Sequence, residues 1–191
     1  MSLLRFVRLA VILFVLGAPR VGFAQAEGPQ TMPMPKPGPE HELLKMDAGT
    51  WDAAVEVVLG PGAPPMTSKG VEVNTIGCSG LCLITDFKGE MMPGVAFHGH
   101  GVTAWDSLKK MYAGSWTDSM SPGMLVSQGT YDPATKKMSG SMEGPDMTGK
   151  VVKMRTVSEW PAADSRVMTA YMPGPDGKEV QTMRITYTRR K

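Results

Sequence analysis

The 191-residue chain has no apolar run long enough to span a bilayer as a helix, no pronounced charge excess and only two cysteines. Its longest apolar stretch, residues 9–18 (LAVILFVLGA), holds about half of the ~20 residues a transmembrane helix needs. No nucleophile–base pair or paired-carboxylate motif can be assembled from the sequence, so an enzyme is the least favoured class. With 20 basic and 18 acidic residues, the formal net charge is only +2. A nucleic-acid partner requires a basic surface, and apart from the N-terminal arginines the chain offers only the short tail Arg189-Arg190-Lys191.

The beginning of the chain reads as a secretory signal. Arg5 and Arg8 precede the apolar run, and Ala24-Gln25-Ala26 supplies the small-x-small cleavage pattern. Cleavage after Ala26 removes Arg5, Arg8 and Arg20, which leaves 17 basic against 18 acidic residues in a mature chain of 165. The expected product is a soluble exported protein, placed in the bacterial periplasm. Residues 27–39 (EGPQTMPMPKPGP) form a flexible Pro/Gly-rich leader, and residues 40–191 a single domain. In an oxidising compartment, Cys78 and Cys82 read as a disulfide across a short hairpin, opposite each other on adjoining strands. A C-x-x-x-C metal or redox motif is the rival, although no helix is expected there.

What the chain does have is alternation. After a helical turn over residues 41–47 (HELLKMD), Trp51, Ala53, Val55, Val57 and Leu59 occupy one phase and Asp52 and Glu56 the other. Val71, Val73 and Thr75 against Glu72 and Asn74 repeat the pattern and predict an inward row of valines. Further strands are expected over 81–88, 95–105, 111–118, 124–131, 137–143, 151–160, 166–172 and 179–188. They are separated by turn residues such as Asp132-Pro133-Ala134-Thr135 and Pro173-Gly174-Pro175-Asp176-Gly177. About ten short strands with no crossover helix predict an all-β, antiparallel up-and-down barrel, with a two-sheet sandwich as the alternative.

Gly49-Thr50-Trp51 at the hand-over from helix to strand, with Arg189 and Arg190 at the end, resembles the lipocalin and wider calycin pattern. That resemblance implies Trp51 packed under a terminal basic residue at the barrel floor. The middle of the chain is more specific. Asp86–Gly89 (acidic-aromatic-x-G), Phe97–Gly101 (F-x-G-x-G), Trp116–Met120 (W-x-D-S-M), Gly129–Asp132 (G-x-Y-D) and the closing Ile185–Arg189 (I-T-Y-T-R) resemble the domain of unknown function 1579 family. The likeness spans nearly the whole mature domain and departs from the family at Trp105-Asp106, where tyrosine often precedes the aspartate. The cysteine pair reads as a local addition. This family implies a fold and no established activity.

The candidate ligand-binding set is Tyr112, Trp116, Asp118, His98 and His100. Tyr112, Trp116 and Asp118 share one strand face, where an indole and a carboxylate could hold a polar or cationic ligand. The plainer alternative is a core tryptophan and a turn-initiating aspartate. His98 and His100 share a face opposite Phe97, which points them to solvent if Phe97 is buried. They are also the candidate ligands for copper or haem, neither of which the sequence requires. Asp86, Asp106 and Asp132 read as turn residues. The 17 methionines, clustered at Met32/Met34 and Met91/Met92, fit either pocket packing or soft-metal ligation. Three functions follow: a barrel binding a small apolar or amphipathic molecule without catalysis, a periplasmic metal or haem protein, or an interaction module with a filled interior.

Overall fold

HELLKMD forms the expected turn. Pro39–His41 is a short 3-10 segment that leads into α1 (Glu42–Asp47), with proline in the first turn where its missing N–H costs nothing. His41 is buried, and its Nδ1 accepts the backbone N–H of Gly38 at 2.9 Å. Leu43, Leu44 and Asp47 turn inward, and the helix ends where Ala48 becomes extended. Gly49 follows at φ +130°, a backbone conformation that side chains rarely adopt, and a Cβ there would lie 2.5 Å from Arg189 Nη1. The glycine of G-x-W is therefore needed twice over, for its backbone and for the guanidinium it admits.

The computed structural model describes residues 34–58, 60, 62–92 and 94–191; the segment read above as a signal, most of the expected leader and Leu59 lie outside them. Ten strands follow α1: β1 (Gly49–Val57), β2 (Met66–Gly77), β3 (Cys82–Met92), β4 (Val95–Asp106), β5 (Met111–Asp118), β6 (Leu125–Asp132), β7 (Lys137–Pro145), β8 (Val151–Ala162), β9 (Ser165–Pro173) and β10 (Glu179–Arg189). Each pairs antiparallel with its chain neighbours, and β1 pairs with β10, so the sheet is a closed up-and-down barrel. Closure removes the edges a sandwich would leave exposed. No described helix is long and apolar enough to cross a membrane.

The barrel has a closed end and a mouth. At the closed end Leu43, Leu44, Leu83, Tyr112 and Trp160 form one buried cluster under α1. A second cluster joins Trp51, Ala53, Val55, Phe87, Ile185 and Tyr187. Aromatic rings here lie against inward glycines. A Cβ on Gly70 would sit 2.2 Å from Phe87 Cζ, and one on Gly99 would sit 2.1 Å from Trp116 Cζ2.

Three local expectations are corrected. The phase of β2 is reversed: Glu72 and Asn74 are buried inside, while Val73 is 41% exposed on the outer wall. Register places Glu72 beside Trp51 and Phe87, both inward. Glu72 is tolerated there because Arg166 on β9 meets it, and Asn74 donates to the same carboxylate at 2.8 Å. The disulfide joins Cys78 and Cys82, but Gly77, not Cys78, stands opposite Cys82. Cys78 sits in the turn itself, at φ 51°, followed by Ser79 at φ 55°. Asp86 is in mid-strand and not at a turn, facing outward to His100 Nδ1 at 2.8 Å.

Because the closed loop is only five residues long, replacing both cysteines by serine is expected to cost about 2 kcal/mol in the chain-entropy account. The protein should remain folded at room temperature, with its urea midpoint lowered. A midpoint unchanged by the double substitution would show that the link contributes nothing.

Candidate functional site

Two arrangements use the inward face. The first is the floor. The Asp47 carbonyl accepts Trp51 Nε1 at 2.9 Å and Asn74 Nδ2 at 3.1 Å, and its carboxylate accepts Trp160 Nε1 at 3.3 Å. Arg166 spans the cluster, donating Nη1 to Asp47 and Nη2 to Glu72 Oε1 at 2.5 Å. Its guanidinium lies 3.8 Å from the Tyr187 ring centroid and 5.4 Å from that of Trp51. Arg189 stacks 4.1 Å from the Trp51 ring and donates to the carbonyls of Met46 and Ala48.

Burial is the main force raising the Asp47 carboxyl above its usual range; Arg166 opposes it and Glu72 adds to it. Burial works against the Arg166 cation, but Asp47 and Glu72 outweigh it and hold the guanidinium above the ordinary arginine value. The side chains of Arg166, Asp47 and Glu72 are 8%, 10% and 6% exposed, so this cluster ties α1 to the barrel and does not meet solutes.

The second arrangement is the cup above it. Register and strand alternation direct Met66, Met142, Met154, Met168, Met172 and Met183 inward, with Ser68, Ser127 and Thr156 among them. All nine are half-buried, as are inward Phe97 and Trp116. A barrel of eight strands is just wide enough for side chains to fill. Ten strands enclose a wider interior than eight, and rings occupy the space at inward glycines, Phe87 at Gly70 and Trp116 at Gly99 and Gly101. The cup wall is thus adaptable thioether and ring surface.

The five candidate ligand residues are not brought together. Tyr112 is inward at the closed end, its hydroxyl donating to the Glu40 carbonyl at 2.6 Å. Burial, with Glu40 and Tyr131 nearby, pushes its phenol up to about 12. Trp116, four residues further along β5, lies about 13 Å along the strand in the direction of the mouth. Its Nε1 donates to Asp118 Oδ2 at 3.0 Å, while Asp118 Oδ1 accepts the N–H groups of Met120 and Ser121, both at 2.8 Å. Asp118 therefore orients the indole and also begins the turn, the plainer of its two readings. Asp106 and Asp132 likewise hold their turns.

His98 and His100 are exposed on the outer wall, and Phe97 is inward against Phe87 at 5.8 Å. The histidines and the cup methionines therefore lie on opposite faces of the wall, and Met32 is outside the described residues. No group of three or more His, Cys, Asp or Glu capable of holding a metal occurs among the described residues. Of the two terminal arginines, Arg190 turns outward to Asp52 and leaves Trp51 to Arg189. Arg166 escapes a reading of the sequence because it opens a strand as surface arginines do. Glu72 and Asn74 escape it because polar residues between valines look like a wet face.

The sequence profile for "Protein of unknown function (DUF1579)" matches residues 36–189. The chain belongs to this family. The motifs of the family resemblance now have positions in the barrel: Phe87 lies over Gly89, and Trp116 over Gly99 and Gly101, forming ring-on-glycine contacts along the inner wall. No curated protein matches the chain. Among solved structures, Rv2717c from M. tuberculosis is similar at 11% identity and TM-score 0.60, covering 81% of this chain and 99% of its own. The S-type phycobiliprotein lyase CPES from Guillardia theta is similar at 14% identity and TM-score 0.55, covering 80% and 93% respectively. At these identities the likeness is one of fold.

Proposed function

We propose that this DUF1579 protein is an exported carrier, holding one small apolar or amphipathic molecule in the methionine-lined cup without converting it. The carrying observation is that the inward residues towards the mouth are half-buried and largely thioether, in a barrel too wide for them to seal. A filled interaction module would bury this phase. A copper or haem site combining His98 and His100 with cup methionines would need donors from both faces of the wall at once. The fold shared with a lyase keeps catalysis on a bound molecule compatible with the same cup. Export to the periplasm is part of the proposal and rests on the signal-like residues 1–26.

Native mass spectrometry of the protein recovered from the periplasm tests both parts. The expected species begins at Glu27 and carries one organic molecule per chain. An apolar fluorescent probe should bind the emptied protein, and Met154→Glu should weaken it at least tenfold, because a carboxylate among thioethers resists desolvation. A bare polypeptide mass together with no probe binding would sink the carrier reading, and an intact N-terminus would sink the export reading.

A further inference from the structure

At the closed end, away from the mouth, a cleft of about 460 Å³ opens between the Pro39–His41 turn with α1 and the strands β4, β5 and β6. Its volume lies in the range that small ligands occupy. It shares no lining residue with the methionine cup. Half-buried Trp105 and Tyr131 supply aromatic surface over the buried Tyr112, Glu40 an acid and Lys110 a cation. The Trp105 and Tyr112 rings pack edge-to-face with centroids 5.1 Å apart. The Tyr112 hydroxyl is already committed to the Glu40 carbonyl, so it is not free to meet a ligand.

The charges decide the ligand class. Glu42 is paired with Lys45 at 2.7 Å, whereas the half-buried Glu40 takes part in no ion pair among the described residues. Its carboxylate is close enough to Tyr112 to disfavour the phenolate, which places negative potential beside the rings. Aromatic rings next to a carboxylate outside any ion pair favour a cation that is bulky and weakly hydrated, since little hydration is lost when it enters. An anion seated on the Glu40 side of the cleft would meet that carboxylate without a cation to offset it.

We propose that this cleft binds a small quaternary or otherwise substituted ammonium group. Lys110 gives a zwitterionic ligand a place for its anionic end, so a betaine-like molecule fits better than a dication.

The test compares choline with 3,3-dimethyl-1-butanol, its neutral isostere, on the intact exported protein, followed by amide NMR shifts and tryptophan emission. Saturable choline binding is expected, roughly three- to thirtyfold tighter than the isostere, with shifts confined to the closed end. Trp105→Leu should lose this preference. Glu40→Gln, a change on a half-exposed turn that need not disturb folding, should reduce it several-fold. Equal affinity for choline and the isostere, absence of saturable binding, or an unchanged preference in Glu40→Gln would each overturn the proposal. Displacement of the cup probe by choline would instead assign the ammonium group to the cup.

Discussion

Replacing Arg166 by methionine is expected to lower the unfolding free energy by about 3–5 kcal/mol, with a fall in Tm on the order of 10 °C. The side chain is buried between Asp47 and Glu72, and its removal leaves two carboxylates inside the floor without their cation. The deficit should depend on pH in a defined direction. The Asp47 carboxyl is already raised by burial, and Arg166 is what opposes that rise. A carboxyl raised in the folded state contributes stability that is present below its unfolded pKa and lost as pH rises through its folded pKa. Without Arg166 that folded value climbs further. The variant should therefore be weakest near neutrality and recover towards the wild type as the pH falls to the ordinary carboxyl range.

Urea denaturation across that range measures the effect. A deficit that does not change with pH would mean the carboxylates are not stranded. Combining Arg166→Met with Asp47→Asn and Glu72→Gln should regain much of the loss, because the cost comes from unpaired charge more than from the missing contact.

The second large effect is expected from Gly99→Val. The first added carbon already falls 2.1 Å from Trp116 Cζ2 and 2.6 Å from Cη2, so the indole must leave its seat on the wall. Overpacking of this kind typically costs about 1–3 kcal/mol. The displaced ring has the cup as its free side, and moving there breaks its bond to Asp118. An apolar probe should then bind at least tenfold more weakly, with a shift in tryptophan emission in the unliganded protein. Unchanged probe affinity despite a displaced indole would place the ligand away from β4 and β5. The companion Trp116→Phe keeps a ring on the glycines and should retain most of the affinity.

Strand phase is also where sequence and structure part. In β1 the alternation of Trp51, Ala53 and Val55 with Asp52, Ala54 and Glu56 is the observed burial pattern. In β2 the same rule points the wrong way, because Glu72 and Asn74 are the inward pair. Alternation shows that two faces differ; hydrophobicity alone assigns which faces in, and that assignment fails where buried charge has a partner. The candidate site was legible to the same extent. Trp116 and Asp118 are inward and joined as their shared strand face suggested, while His98 and His100 follow from Phe97 to the outer wall. Met183 could be placed on the apolar phase with Ile185 and Tyr187, but the convergence of the cup methionines depends on closure of all ten strands.

The sequence by itself determined the number of strands, their antiparallel order, the helical start and the turn-forming roles of Asp106, Asp118 and Asp132. These depend on residues within a few positions of one another, where period, turn chemistry and side-chain reach act directly. Only the tertiary structure decided that Asp47 and Glu72 share Arg166, 119 and 94 residues away from it in the chain. The same holds for the inverted face of β2 and the convergence of the inward methionines towards the mouth. Desolvation and charge pairing act through space, so a local pattern carries no record of the distant residue that makes a buried acid stable.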